Sequence, residues 1–309
     1  MERRVDRLWL ANRLAVSVGA VVSFGALFAA DPLSNSAKTV IAAGDIAQCE
    51  RDGARGTGAE ATARLIETLP GIVLALGDLA YPNGAKAEFE NCYEPSWGRF
   101  KSRTWPAPGN HEYNSPGARP YYAYWGPVAG REDEGFYSFD LGGWHLVALN
   151  SNILGTALGA KQEAWLKVDL GQHPGRCTLA FFHHPRFSSG WHGDDSRLDT
   201  LWRILYTSSV DVVLNGHDHD YERFAPLDPN GHLDERRGIR EFIVGTGGAT
   251  LLGQFPGAHP NSEVREGTTF GVLELTLESN AYRWQFLTAP EGRQLDQGSA
   301  ACHNAGERE

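Results

Sequence analysis

Five short apolar runs in this chain each end at a residue that can bind a metal ion. Runs of four or five apolar residues bounded by glycine or proline are typical of buried strands, and strands that alternate with helices indicate a layered α/β architecture. In an open α/β sheet, ligands bind beyond the carboxyl ends of the strands, so we expect all five ends to open on one rim. The residues that follow the runs are Gly44-Asp45, Gly77-Asp78, Gly109-Asn110-His111-Glu112, His183 and Gly216-His217.

The spacing of apolar residues also predicts where the strands and helices lie. Helices are expected at residues 57–69, 160–170 and 197–208. Strands are expected at 39–43, 72–76, 135–141, 144–150, 179–182, 211–214, 240–244, 269–277 and 281–287, the last three of them antiparallel. These elements predict one domain over residues 31–288 and a polar tail at 289–309.

The first 30 residues differ in composition from the rest of the chain. Arginines come first and an uncharged run from Leu14 to Ala30 follows, which is the pattern of a secretory signal peptide. We therefore expect residues 1–30 to be a leader and the protein to be secreted. An uncleaved leader that stays as a membrane anchor is the alternative, although its uncharged run is short for a membrane span.

The chain contains four cysteines, and none of their spacings is that of a zinc ribbon. Disulfides are common in exported proteins, and four cysteines allow three pairings. We favour a bond between Cys49 and Cys92, because both follow strand-like runs whose ends are expected to converge. Free cysteines that pack as small apolar side chains are the alternative.

The candidate ligands comprise two carboxylates, one amide and at least three imidazoles. An aspartate after a strand is usually a turn or helix-cap residue, and a pair such as His217 and His219 is by itself an ordinary surface feature. The whole set at one edge favours a metal site instead. Oxygen and nitrogen ligands without thiolate suit iron, manganese or zinc, and six or seven ligands are enough for two ions.

The ordered motifs resemble those of the calcineurin-like metallophosphoesterases, and Tyr81, three residues after Asp78, resembles the purple acid phosphatases among them. The resemblance implies a β-sandwich flanked by helices, with 31–288 as a single catalytic domain. One position departs from the family pattern, because Asp45-Ile46-Ala47 stands where the family usually has Asp-x-Gly. The motifs that carry the resemblance are Gly44-Asp45, Gly77-Asp78-Leu79-Ala80-Tyr81, Gly109-Asn110-His111-Glu112, His183 and Gly216-His217-Asp218-His219.

The resemblance also implies a role for each residue of the site. The implied catalytic groups are His111 and His192, which would contact the phosphate, together with Asp78. Asn110 is expected to contact the substrate as well. Asp218 is expected to support a neighbouring residue or to face solvent, and not to bind metal. The implied metal ligands are Asp45, Tyr81 and His219 at an Fe(III) site, Asn110, His183 and His217 at a site for Fe, Zn or Mn, and Asp78 bridging both.

The function that follows is an exported phosphatase with two metal ions. Such ions lower the pKa of a bound water, so that hydroxide attacks a phosphomonoester in line. A phosphodiesterase of the same fold, acting on nucleotides or phospholipid headgroups, and a metal-binding surface protein without turnover are the alternatives. The expected partner is a small-molecule phosphate ester. A net charge of -10 argues against a nucleic-acid scaffold, and membrane contact is expected only if the leader is uncleaved.

Overall fold

The computed structural model describes residues 37–49 and 57–303, so the expected leader at 1–30 lies outside the described residues. The longer helices are α1 (Thr57–Glu67), α3 (Arg119–Trp125), α4 (Ala157–Gln172) and α5 (Asp199–Thr207), with the single turn α2 (Lys86–Glu88). The strands are β1 (Lys38–Ala43), β2 (Ala47–Gln48), β3 (Ile72–Leu76), β4 (Ala80–Tyr81), β5 (Thr104–Ala107), β6 (Tyr137–Leu141), β7 (Trp144–Ala148), β8 (Cys177–Phe181), β9 (Val212–Asn215), β10 (Tyr221–Phe224), β11 (Arg240–Val244), β12 (Ser262–Glu266), β13 (Gly271–Leu277), β14 (Ala281–Thr288) and β15 (Arg293–Ala301).

These strands form two large sheets. One has six strands in the order β15-β14-β13-β1-β3-β5, and the other has seven in the order β12-β10-β11-β9-β8-β7-β6. β1, β3 and β5 are parallel, as are β7, β8, β9 and β11. The mixed α/β fold expected from the sequence is therefore confirmed, and the short strands β2 and β4 pair separately beside the six-stranded sheet.

Alternate residues of the seven-stranded sheet face two different cores. Leu146, Phe181 and Leu214 belong to the core that they share with β1, β3 and β13 of the other sheet. Val147 and Val213 lie on the opposite face, in a second core with α4 and α5. Because both faces of these parallel strands are buried, their sequences are continuously apolar and do not alternate with polar residues.

The carboxyl-terminal segment differs from the expectation. Residues 289–309 were expected to be a polar tail, yet β15 is an edge strand that pairs antiparallel with β14. Its outward side chains are polar because one face of an edge strand meets solvent. A disulfide between Cys177 and Cys302 joins the residue after β15 to the start of β8.

The strands Tyr221–Phe224 and Ser262–Glu266 were not predicted either. Ser262–Glu266 is largely polar because it lies at the edge of the seven-stranded sheet and none of its residues is buried. Of the three strands expected to be antiparallel, Gly271–Leu277 and Ala281–Thr288 pair in that way, but Arg240–Val244 lies in the other sheet. There it pairs antiparallel with Tyr221–Phe224 and parallel with Val212–Asn215. The disulfide between Cys49 and Cys92, in contrast, is confirmed. None of the described helices combines the length and the apolar character that a membrane crossing needs.

Candidate metal centre

The predicted ligands lie between the ends of the two sheets. The sequence predicted one rim of one sheet, and this is corrected, because Asp45, Asp78 and Asn110 follow β1, β3 and β5 of the six-stranded sheet while His183 and His217 follow β8 and β9 of the other. A buried strand is continuously apolar in either sheet, so the sequence at the end of a strand does not show to which sheet that strand belongs.

Sharp backbone turns place these side chains. Asp45, Asp78 and His217 all have a positive φ, at 57°, 52° and 74°, a conformation that is strained in residues other than glycine and that concentrates at functional sites. Two glycines let the turns approach one another. A Cβ on Gly109 would lie 2.1 Å from Asp78 Oδ1, and one on Gly216 would lie 2.5 Å from Asp45 Oδ2.

A first group of donor atoms surrounds the phenol of Tyr81. The Tyr81 hydroxyl lies 2.7 Å from Asp45 Oδ1, 3.0 Å from His219 Nε2 and 3.2 Å from Asp78 Oδ2. His219 Nε2 is 3.4 Å from Asp45 Oδ1. The three residues that the resemblance implies for one metal therefore converge, with Asp78 beside them.

A second group surrounds the ring of His183. His183 Nε2 lies 3.0 Å from Asn110 Oδ1, 3.2 Å from Asp78 Oδ2 and 3.2 Å from His217 Nδ1. The same carboxylate oxygen of Asp78 thus lies next to both groups. A carboxylate at this position can bridge two cations, whereas a single imidazole nitrogen binds one ion.

Backbone carbonyls orient two of the imidazoles. His183 Nδ1 donates to Leu76 O at 2.9 Å, and His219 Nδ1 donates to Thr250 O at 2.6 Å. Each bond leaves the Nε2 lone pair facing the site, as is usual for histidines that bind metal. The His183 segment is itself held by Asn215, whose Nδ2 donates to Phe182 O at 2.8 Å.

The electrostatics of the cluster favour a cation. Burial opposes charge on His183 and His219, but Asp78 and Asp45 raise the pKa of each ring to about 9. Burial and the two carboxylates raise the pKa of Tyr81 well above its usual value. Protons on the histidines thus balance the buried carboxylates, and a bound metal cation would replace those protons.

The pKa of His217, in contrast, is lowered. Burial and the neighbouring His183 and His192 rings lower it to about 3, so His217 is neutral at physiological pH. A neutral imidazole is the form that binds metal. Oxygen and nitrogen donors 2.7 to 3.4 Å apart, without thiolate, fit the iron, zinc or manganese pair expected from the sequence.

The two candidate catalytic histidines lie on either side of this cluster. His111 Nδ1 bonds Pro82 O at 2.6 Å, and His111 Nε2 is 3.7 Å from Asp78 Oδ2. The His192 ring stacks on His217 with centroids 4.1 Å apart, and His192 Nδ1 lies 2.9 Å from Asp218 Oδ1. Asp218 is buried and contacts His192, so it is not the solvent-facing group that the sequence left as one possibility.

Glu112 is a buried residue whose structural role the sequence did not reveal. Its carboxylate accepts hydrogen bonds from the backbone N–H groups of Asp78, Leu79, Ala80 and Gly109, at 2.9, 2.8, 3.3 and 2.8 Å. Burial, with the Asp78 charge added, raises the pKa of Glu112 to about 7. One side chain therefore fixes the loop that carries both Asp78 and Tyr81.

Two adjoining cavities open onto the cluster. One of about 270 Å³ is lined by Asp78, Asn110, His111, Trp191, His192, His217, His219 and Leu252. The other, of about 430 Å³, is lined by Gln48, Cys49, Tyr81, Pro82, His111, His219, Thr250 and Leu252. Asp45 and His183 lie buried beneath them. The structure therefore brings every predicted site residue to one place.

Comparison with known proteins agrees with this geometry. The sequence model of calcineurin-like phosphoesterases matches residues 38–221. Purple acid phosphatase 15 of Arabidopsis thaliana is 29% identical over 231 residues, which cover 60% of this chain and 41% of that protein. The chain spans about half the length of the Arabidopsis purple acid phosphatases that it matches.

Two further matches cover most of the chain. A nucleotide pyrophosphatase/phosphodiesterase of Hordeum vulgare is 23% identical over 316 residues, which cover 86% of this chain and 83% of that protein. The structure of the purple acid phosphatase PPD1 from yellow lupin seeds superposes with a TM-score of 0.72 at 20% identity, covering 87% of this chain and 55% of that one. At this identity the structural match shows a common fold.

Proposed function

This chain belongs to the calcineurin-like phosphoesterase family, and we propose that it is an exported phosphatase that hydrolyses phosphomonoesters with two metal ions. The observation that carries the proposal is the pair of donor groups that meet at Asp78 Oδ2, with distances of 3.2 Å to both the Tyr81 hydroxyl and His183 Nε2. Two disulfides support export, because such bonds persist in oxidising compartments.

The proposed ligand sets divide at Asp78. Asp45, Tyr81 and His219 would hold Fe(III), and Asn110, His183 and His217 would hold Fe, Zn or Mn. When bound, such a pair of ions supplies a water of lowered pKa and neutralises charge on the phosphate. The phenol of Tyr81 is the ligand that favours Fe(III) at the first position, because a small highly charged cation is needed to displace its proton.

The protein's own groups would bind the phosphate and move a proton. His111 Nδ1 donates to Pro82 O, so Nε2 is the nitrogen left for the substrate: it accepts a proton in the neutral ring and donates to a phosphate or leaving oxygen once the ring is protonated. His192 is oriented in the same way by Asp218, which accepts from both its ring and its backbone N–H at 2.9 Å. The two histidines would thus approach the substrate from opposite sides of the metal cluster.

A second candidate function is phosphodiester hydrolysis. Two observations favour it: the two cavities adjoin at His111, His219 and Leu252, and the barley phosphodiesterase matches most of the chain. A diester carries a substituent on each side of the phosphorus, and two cavities that meet over the metal cluster would accommodate both.

Paired substrates test these functions. Metal-loaded protein is expected to hydrolyse p-nitrophenyl phosphate faster than bis(p-nitrophenyl) phosphate. The opposite preference would favour the diesterase. No hydrolysis of either ester by protein shown to contain two metal ions would overturn both functions and favour a binding protein. Metal analysis and a visible spectrum of the same sample test the ion identities, since an Fe(III)–phenolate pair absorbs visible light.

A further inference from the structure

Trp191 is a large aromatic side chain that lies exposed at the mouth of the smaller cavity. Its exposure is 62%, and that of Leu252, which lines the same cavity, is 38%. Most other lining residues are polar or charged, including Asp78 and Asn110. The cavity therefore combines a metal-binding floor with an apolar part that no proposed step of phosphate hydrolysis uses.

The segment that carries Trp191 is held in place despite the exposure of the indole. Three buried carboxylates on neighbouring strands and loops accept its backbone N–H groups. Glu241 binds Arg186 N at 2.9 Å, Glu222 binds Ser189 N at 2.8 Å and Asp218 binds His192 N at 2.9 Å. The residues on both sides of Trp191 are thus fixed before any ligand arrives.

Gly190 adds to this constraint. A Cβ at position 190 would lie 2.5 Å from Asp218 Cγ, so the backbone next to Trp191 packs directly on the carboxylate that also holds His192. A surface fixed in advance loses less conformational entropy when a ligand binds. An indole in such a setting offers a flat apolar face to a bound molecule without the cost of ordering a mobile loop.

We propose that Trp191 and Leu252 form a specificity surface that binds a planar aromatic group attached to the substrate phosphate. This inference rests on the proposed function, since it names the class of ester that the metal centre accepts. An aryl ring and a nucleobase share the required chemistry, because each presents a flat π-face that stacks on indole. The cavity of about 270 Å³ lies near the lower limit for small-ligand sites, which suits a compact ester.

Phosphonates that cannot be hydrolysed test the surface without any effect of the leaving group. For Trp191→Ala, the inhibition constant of phenylphosphonate is expected to rise roughly three- to tenfold relative to that of the unmodified protein. The constant for methylphosphonate should change less than about twofold, because its methyl group cannot stack. For Leu252→Ala, the inhibition constant of phenylphosphonate should also rise relative to that of methylphosphonate, by a smaller factor.

Two variants serve as controls. Val168→Ala removes an exposed apolar side chain from α4, outside both cavities, and should leave both inhibition constants unchanged. Trp191→Phe keeps an aromatic face and should recover most of the preference for the phenyl compound. Equal weakening of both phosphonates by Trp191→Ala, or no change in either, would overturn the proposal.

The source of the aromatic group is tested by turnover. The kcat/KM values for p-nitrophenyl phosphate and adenosine 5′-monophosphate, each divided by that for glycerol phosphate, should fall in Trp191→Ala. The larger fall identifies the ring that the surface fits better, and no fall in either ratio would contradict the proposal. If metal-loaded protein hydrolysed no ester, the phosphonates measured by titration calorimetry would still test the surface, while the proposed hydrolysis would fail.

Discussion

The two sheets contribute different chemical groups to the candidate metal centre. The six-stranded sheet and the loop after β3 supply the oxygen donors Asp45, Asp78, Tyr81 and Asn110, and the loops after β8 and β9 supply the imidazoles. The carboxylates of the proposed ligand set thus come from one sheet, and its imidazoles come from the other. Neither sheet alone holds a complete ligand set, so the site depends on how the two sheets pack.

The two sides also differ in how their loops are held. On the oxygen side, Glu112 alone accepts four backbone N–H groups. On the imidazole side, the equivalent task is shared by Asp218, Glu222 and Glu241. On the oxygen side one buried carboxylate thus holds backbone N–H groups of two segments, whereas on the other side three buried carboxylates divide this task.

The largest expected effect is that of Asp78→Asn, which removes the charge that lies next to both donor groups. Loss of the proposed bridge should lower kcat by about a thousandfold or more and reduce the bound metal below two ions per chain. Activity assays with metal analysis measure both. Asp140→Asn, a half-exposed carboxylate on β6, is the control and should keep both metal and rate. A fully active Asp78→Asn protein with two metals would show that Asp78 is not the bridge.

A smaller effect distinguishes the two ways of holding a loop. Glu112→Gln places an amide NH₂ against backbone donors, which leaves at least two buried N–H groups unpaired and should lower the free energy of unfolding by about 2 to 4 kcal/mol. Glu222→Gln can turn its remaining oxygen towards Ser189 N and should cost about 1 kcal/mol or less. Urea denaturation of both variants measures the difference.

Equal losses of unfolding free energy in Glu112→Gln and Glu222→Gln would show that the two sides of the site are not held in different ways. Activity assays provide a second measurement. Glu112→Gln should also lower kcat, because it displaces Asp78. Glu222→Gln should mainly loosen the segment that carries Trp191 and His192. A Glu112→Gln protein with unchanged stability and unchanged kcat would show that the loop after β3 is held by other contacts.

The residues that converge at the site could be predicted from the sequence, but the groups that position them could not. Asp45 and Asp78 each follow an apolar run after one glycine, and His183 follows one directly, which is a local pattern. Glu112 binds backbone N–H groups of two separate segments, and backbone atoms leave no trace in the sequence. The β15 strand was read as a tail because its one buried residue is Asp296, so no alternation of apolar and polar residues marks it.

Histidines also cluster at the other end of the seven-stranded sheet, where carboxylates engage both ring nitrogens of His145. Its Nδ1 lies 2.9 Å from Asp140 Oδ1 and its Nε2 lies 2.8 Å from Asp169 Oδ2, while His173 stacks on the ring with centroids 3.7 Å apart. At the candidate metal centre, in contrast, backbone carbonyls bind Nδ1 of His183 and His219, and Nε2 of each ring faces the other donor atoms. Imidazoles alone therefore do not distinguish the two ends of the sheet.

The smallest expected effect tests this distinction through pH. Burial would lower the pKa of His145, but hydrogen bonds to Asp169 and Asp140 raise it above its usual value. Its ion pairs thus stabilise the fold fully below the unfolded pKa of about 6.5, and the contribution is lost as pH rises through the higher folded pKa. His145→Gln should cost about 1 to 2 kcal/mol near pH 6 and less at higher pH, with bound metal unchanged. A pH-independent cost in urea denaturation, or loss of a metal ion, would contradict a purely structural role for this cluster.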